Sequence, residues 1–124
     1  MSWVVQPEFE IFIYYIYKDS KLLTPAIMII VQDIFICKPG NASKLAKKFK
    51  EGMTGNPELV HILTDVAGQF NKVIMVTRYE NLGAYEQSFE KYKQNTEAMK
   101  KMNEAMAGYQ DMYLTGSREI YRVW

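Results

Sequence analysis

The sequence predicts an α+β fold: one antiparallel sheet of four strands, with helices on one face and a second copy of the chain closing over the other. Three observations predict it. Two stretches, Ile29-Ile-Val-Gln-Asp-Ile-Phe-Ile-Cys37 and Val73-Ile-Met-Val-Thr-Arg-Tyr79, are almost continuously apolar, the pattern of strands covered on both sides rather than half-exposed. Each feeds directly into a stretch with helical periodicity. The helices that follow suffice for one side of a sheet only, so an identical subunit is the natural cover for the other.

The elements follow in order. Strand 1 runs from Ile29 to Cys37 and stops at Lys38-Pro39-Gly40, because proline lacks a backbone donor and glycine tolerates positive φ. Asn41 stands as an N-cap before a helix with Ala42, Leu45, Ala46, Phe49 and Met53 on one face. Lys44, Lys47, Lys48 and Lys50 fall elsewhere on it and form a solvated side. Gly52 and Gly55-Asn56-Pro57 end that helix, Leu59 to Val66 forms strand 2 closed by Gly68, and strand 3 runs from Phe70 to Tyr79.

Asn81 caps a second helical region with Leu82, Tyr85, Phe89, Tyr92, Met99, Met102 and Met106 at spacings of three, four or seven. Unbroken to Ala107 it would measure about 39 Å at about 1.5 Å per residue. That exceeds a small sheet, so a break is expected near Asn95. Glu97 is placed for Lys101 and Lys100 for Glu104, pairs worth about 0.2–0.5 kcal/mol each. Gly108 ends the helical region, and Arg118 to Trp124 supplies strand 4, with Arg118, Ile120, Arg122 and Trp124 on one face by period two.

The order β-α-β-β-α-β is ferredoxin-like. Right-handed crossovers put both helices on the same side, and the opposite side carries an apolar set that includes Ile74 and Val76. Monomers rarely tolerate so large an apolar patch, so these two residues are expected in a homodimer interface. Residues 1–27 differ in texture: Phe9-Glu-Ile-Phe-Ile-Tyr-Tyr-Ile-Tyr17 is aromatic and β-branched, between Pro7 and Pro25. They form an extension, either an extra strand or a dispensable segment, beside a domain of residues 28–124.

Bulk properties exclude several classes. At 124 residues one domain is expected. A net charge of +1 creates no strong field for nucleic acid or an anionic membrane. The longest apolar run, around residue 30, is interrupted by Gln32 and Asp33, well short of the roughly 20 residues of a membrane helix. The lone Cys37 cannot form an intrachain disulfide, and Glu8 and Glu10 flank an amino-terminal apolar stretch without a basic region; both fit a cytoplasmic protein. Single-stranded RNA binding on an open sheet requires stacking aromatics and glycines on strand 3, which Lys72 to Tyr79 lacks. No metal-ligand spacing, phosphate loop or nucleophile elbow occurs, so neither metal nor cofactor is expected.

Three pieces carry a family likeness: Lys38-Pro39-Gly40 at the end of strand 1, Phe70-Asn71-Lys72-Val73 entering strand 3, and Arg78-Tyr79-Glu80-Asn81-Leu82 entering the second helical region. In this order and spacing, residues 28–124 resemble the NIPSNAP family, within the dimeric α/β-barrel superfamily that also holds antibiotic-biosynthesis monooxygenases. The resemblance implies a ferredoxin-like protomer whose sheet meets its partner's to enclose a barrel. It implies no settled reaction. Haem-binding members of the superfamily place a histidine on the second helix, and residues 82–107 contain none, so haem is not expected. Cofactor-independent oxygenases in the group use cavity Asn, Trp or His residues, whereas Trp3 and Trp124 lie outside the expected positions. The resemblance thus leaves a binder of a small apolar or carboxylate-bearing molecule, with a monooxygenase-type enzyme and a ligand-sensing regulatory module, its ligand near Lys38 to Asn41, as alternatives.

Within that frame the candidate catalytic residues are His61, Arg78 and Asp33. His61 is the sole histidine, a residue type suited to acid/base work if it faces a cavity; a lone strand histidine is also a common structural residue. Arg78 suits a carboxylate or carbonyl, or an ion pair with Glu80, Glu119 or Asp65. Asp33 interrupts an apolar strand and must find a partner, either as a base or through an arginine of strand 4. Tyr79, Met99 and Met102 are candidate ligand contacts, since methionine fills irregular apolar space, with core packing as the plainer role.

Overall fold

The computed structural model describes residues 27–124; the extension, but for its last residue, lies outside the described residues. The described residues form β1 (Ile29–Cys37), α1 (Ala42–Gly52), β2 (Leu59–Thr64), β3 (Lys72–Tyr79), α2 (Leu82–Tyr92), α3 (Glu97–Ala105), a 3-10 turn (Tyr109–Asp111) and β4 (Tyr113–Arg122), in that order. The sheet order is β2-β3-β1-β4 with all neighbours antiparallel, and the helices cover one face. This is the ferredoxin-like arrangement.

The odd-numbered residues of β1 face the helices. Cys37 joins Leu45, Phe49 and Val73 in one buried cluster, while Ile29 and Val31 join Tyr79 in another against Ala84 and Tyr85. Rings reinforce the first: Phe35 lies 5.0 Å from Phe49 and 4.9 Å from Tyr113, and Phe49 lies 5.9 Å from Tyr109, spacings at which tilted aromatic pairs attract. The even set of β1 (Ile30, Gln32, Ile34, Ile36) points to the other face and is half-buried. There Ile34 pairs with Ile74, and Ile74 in turn with Leu63.

Several boundaries differ from expectation for local reasons. β2 ends at Thr64 because Asp65 turns the chain: its carboxylate accepts from Phe70 N at 2.7 Å and Lys72 N at 3.0 Å. Phe70 and Asn71 sit at φ 68° and 57°, the left-handed region that no strand uses, so β3 begins at Lys72. β4 starts five residues early, at Tyr113, because β1 offers a pairing edge along its whole length, from Ile29 opposite Arg122 to Ile36 opposite Thr115. Asn41 occupies the cap position of α1 without a side-chain bond.

The expected break in the second helical region is present, since α2 ends at Tyr92 and α3 begins at Glu97. Thr96 caps the new start, its hydroxyl accepting from Met99 N at 3.2 Å. The charge pairs form at i,i+3 instead of i,i+4: Glu97 with Lys100 at 3.5 Å and Glu90 with Lys93 at 3.2 Å. All four side chains are exposed, so the pairs contribute little. Asn81 does cap α2, Oδ1 accepting from Ala84 N at 2.7 Å. Asn81→Ala is expected to cost about 1 kcal/mol, read as a lower urea midpoint with unchanged slope; an unchanged midpoint would show that the cap is dispensable.

Candidate functional site

On the helix-facing side of β1, Asp33 stands between the two clusters, after Ile29 and Val31 and before Phe35 and Cys37. A carboxylate in that row prevents the clusters from merging, since no apolar neighbour can satisfy it. Its register partners are Met75 on β3 and Arg118 on β4. Arg118 Nε donates to Asp33 Oδ1 at 2.5 Å, with side-chain exposures of 49% and 13% respectively. The carboxylate is the inner member of the pair.

Around this pair lies a hollow of about 170 Å³ between sheet and helices. The sheet contributes Asp33, Met75, Thr77, Tyr79 and Arg118. Aromatic residues of α2 roof it, and Met102 closes it from α3. The guanidinium carbon of Arg118 lies 5.8 Å from the ring centre of Tyr85 and 6.0 Å from that of Phe89, within cation–π range. Tyr85 packs edge-on between Tyr79, at 5.1 Å, and Phe89, at 4.9 Å.

The polar atoms here are unequally satisfied. Ser88 Oγ donates to the Tyr85 carbonyl at 2.5 Å, and Tyr92 Oη accepts from Asn56 Nδ2 at 3.4 Å. The Tyr85 hydroxyl has no partner, alone among the buried side-chain polar atoms of the described residues. Such an atom calls for a reason, because an unmade buried hydrogen bond costs free energy. Burial pushes the pKa of Tyr85 above its ordinary 10.0, despite the opposing pull of Arg118. Tyr85 is therefore a neutral donor at physiological pH. The Arg118 pKa is raised, chiefly by its hydrogen bond to Asp33.

Tyr92 is shifted upward as well, again chiefly by burial. Both phenols hold their protons more tightly folded than unfolded, so above about pH 10 the unfolded chain loses protons first and stability falls as pH rises. Urea midpoints measured from about pH 8 to 11 should decline, and Tyr85→Phe should flatten the decline; an identical slope in the variant would rule Tyr85 out as a contributor.

The expected site residues divide between the two faces. Asp33, Tyr79 and Met102 line the hollow, while Met99 is buried in α3 outside its lining. His61 pairs with Val76 and Arg78 with Ile30, both on the helix-free face. Arg78 Nε lies 2.9 Å from Met28 Sδ. The trio His61, Arg78 and Asp33 is thus not brought together. Of the two roles open to Asp33, the structure shows the pairing with an arginine of strand 4. In the sequence Tyr85 reads only as one of a stripe of core aromatics and Arg118 only as one of the strand-4 arginines open to Asp33, while Thr77 and Ser88, which also line the hollow, are not singled out.

Among the described residues no three His, Cys, Asp or Glu side chains are grouped to hold a metal ion, and no helix is long and apolar enough to cross a membrane.

No family model matches the sequence, and no curated protein does. Solved structures do. A NIPSNAP-like domain protein from Burkholderia xenovorans superposes with a TM-score of 0.59 at 17% identity, over 77% of this chain and 84% of that one. A NIPSNAP family protein from Agrobacterium tumefaciens gives 0.62 at 14% identity, over 76% and 90%. The chain has the NIPSNAP-like fold. A putative antibiotic biosynthesis monooxygenase from Chloroflexus aurantiacus gives 0.55 at 10% identity, over 78% and 93%, so the NIPSNAP-like fold here shades into the monooxygenase-like one. At such identities the likeness carries the path of the chain and none of its chemistry.

Proposed function

We propose that the protein is a homodimer that binds a small, mostly apolar molecule, about the size of one aromatic ring, in the hollow between sheet and helices. The observation that carries this reading is the unpartnered Tyr85 hydroxyl in a hollow shared with Arg118. Among the described residues the terminal nitrogens of Arg118 have no hydrogen-bond partner, because its one bond to Asp33 uses Nε. A ligand oxygen would satisfy both groups once the Tyr85 side chain turns its hydroxyl, which is buried in the free protein, toward the hollow. Size sets the ligand class: a dry cavity of roughly 150 Å³ accepts benzene, whereas drug-sized ligands occupy roughly 300–1,000 Å³. A hollow of about 170 Å³ therefore suits one ring with a small substituent.

Thermal shift with p-cresol and catechol, against a three-ring anthraquinone, tests the reading. A compound held in the folded state alone stabilises it by about 2.7 kcal/mol at 100 times Kd. The single-ring compounds should raise Tm and move amide resonances of α2 and the middle of β1. If neither does, the hollow is not a binding site. A monooxygenase-type activity is the second reading, favoured by a charged pair in apolar surroundings at which a bound phenol could lose its proton. Oxygen consumption with catechol, dependent on the protein, tests it. A regulatory module would instead take its ligand at the open groove of about 380 Å³ beside Gly40, Ser43, Asp65 and Asn71, and the same resonance mapping separates the two places.

A further inference from the structure

The charge balance of the hollow restricts the polar handle its occupant can carry. Asp33 and Arg118 are opposite charges in direct contact, so the pair is neutral overall. Bringing a carboxylate to Arg118 would set two anions around one cation. The resident anion is the inner one, 13% exposed, and cannot withdraw into solvent as an exposed side chain would. Like charges at such separations disfavour each other, and the low exposure of Asp33 limits the screening of its side of the pair, although Arg118 itself is half-exposed. The donors and acceptors that remain unspent tell the complementary story. Arg118 offers its terminal N–H groups and Tyr85 its hydroxyl, all donors, while Asp33 keeps one carboxylate oxygen with no hydrogen bond among the described residues.

We infer that the hollow selects a ring bearing a neutral group that accepts one hydrogen bond and donates another, such as a carboxamide, a vicinal diol or an enol, and that Asp33 is the residue that rejects carboxylates. The inference rests on the hollow being the ligand site proposed above. In the bound arrangement the ligand oxygen accepts from Arg118, and from Tyr85 once its buried hydroxyl turns toward the hollow, and the ligand N–H or O–H donates to Asp33. No group of opposite charge is left alone, and no proton need move for binding.

Benzamide and benzoate form the test, since they match in size and shape and differ in charge and in the amide donor. Titration followed by calorimetry near pH 7 should give benzamide at least tenfold tighter binding than benzoate. In Asp33→Asn the inner charge is gone and Arg118 is left without a counterion, so the ratio should fall to one or reverse. Equal or tighter binding of benzoate by the unaltered protein overturns the inference and leaves the cavity reading standing. Binding of neither probe overturns both. A folded Asp33→Asn that keeps the tenfold preference removes Asp33 as its source. Should that variant not fold, the comparison on the unaltered protein still decides, and Tyr85→Phe, expected to weaken benzamide several-fold, tests the donor side.

Discussion

Sedimentation at micromolar concentration is expected to show the unaltered protein as a dimer and Ile74→Asp as a folded monomer. Ile74 lies in the middle of an apolar row crossing the helix-free face, with Leu63 on one side and Ile34 on the other. It is half-buried within one chain. An aspartate there can reach water in a single subunit but not between two packed sheets, where an unpaired carboxylate costs several kcal/mol. Association should therefore fail before folding does. Val76, one row further along, is 6% exposed within a single chain, so aspartate at that position would damage the protomer as well and would not separate the two effects. An Ile74→Asp protein that still sediments as a dimer would place the contact between subunits somewhere other than this face.

How much of this was legible in the sequence depended on whether local chemistry or strand pairing set the answer. β1 matches its expected bounds because Pro39 and Gly40 punctuate its end, and the helix break is visible in the excess length of an unbroken helix. The first half of β4, Tyr113-Leu-Thr-Gly-Ser117, carries the loop-like cluster Thr115-Gly-Ser117. Its strand character comes from the edge of β1, which lies far away in the sequence.

Parity explains the site residues in the same way. Asp33 and Tyr79 follow the alternation of their strands and fall on the helix side. Arg78, one residue from Tyr79, must then fall on the other. His61 is different, since Leu59 pairs with Thr77 on the helix side and simple alternation would carry His61 there too. A bulge between Leu59 and His61 inserts Val60 and sends the histidine to the opposite face. No residue at that point announces a bulge, which is a product of pairing. Period two groups Arg118 and Arg122 on one face of strand 4 without saying which side of the sheet it meets, and only the register identifies Arg118, and not Arg122, as the partner of Asp33.

Phe49→Ala is expected to cost about 3–5 kcal/mol, the range for truncating a fully buried aromatic residue, against a total stability of about 5–15 kcal/mol for a typical domain. Phe49 is 1% exposed and packs with Leu45, Val73 and Cys37. Its ring meets Phe35 on β1 and Tyr109 before β4, so it ties α1 to both ends of the sheet connection. Urea unfolding followed by circular dichroism measures the loss, with Leu82→Ala, at an exposed position on α2, as the control expected within about 0.5 kcal/mol. The size of the effect also bears on the hollow. Asp33 divides the core into two clusters, so the domain depends on the larger one to hold the sheet while the hollow between them stays open. If Phe49→Ala cost only about 1 kcal/mol, the helices would be settling inward to refill the space, and a core that adjusts so readily would close the hollow rather than hold it open for a ring.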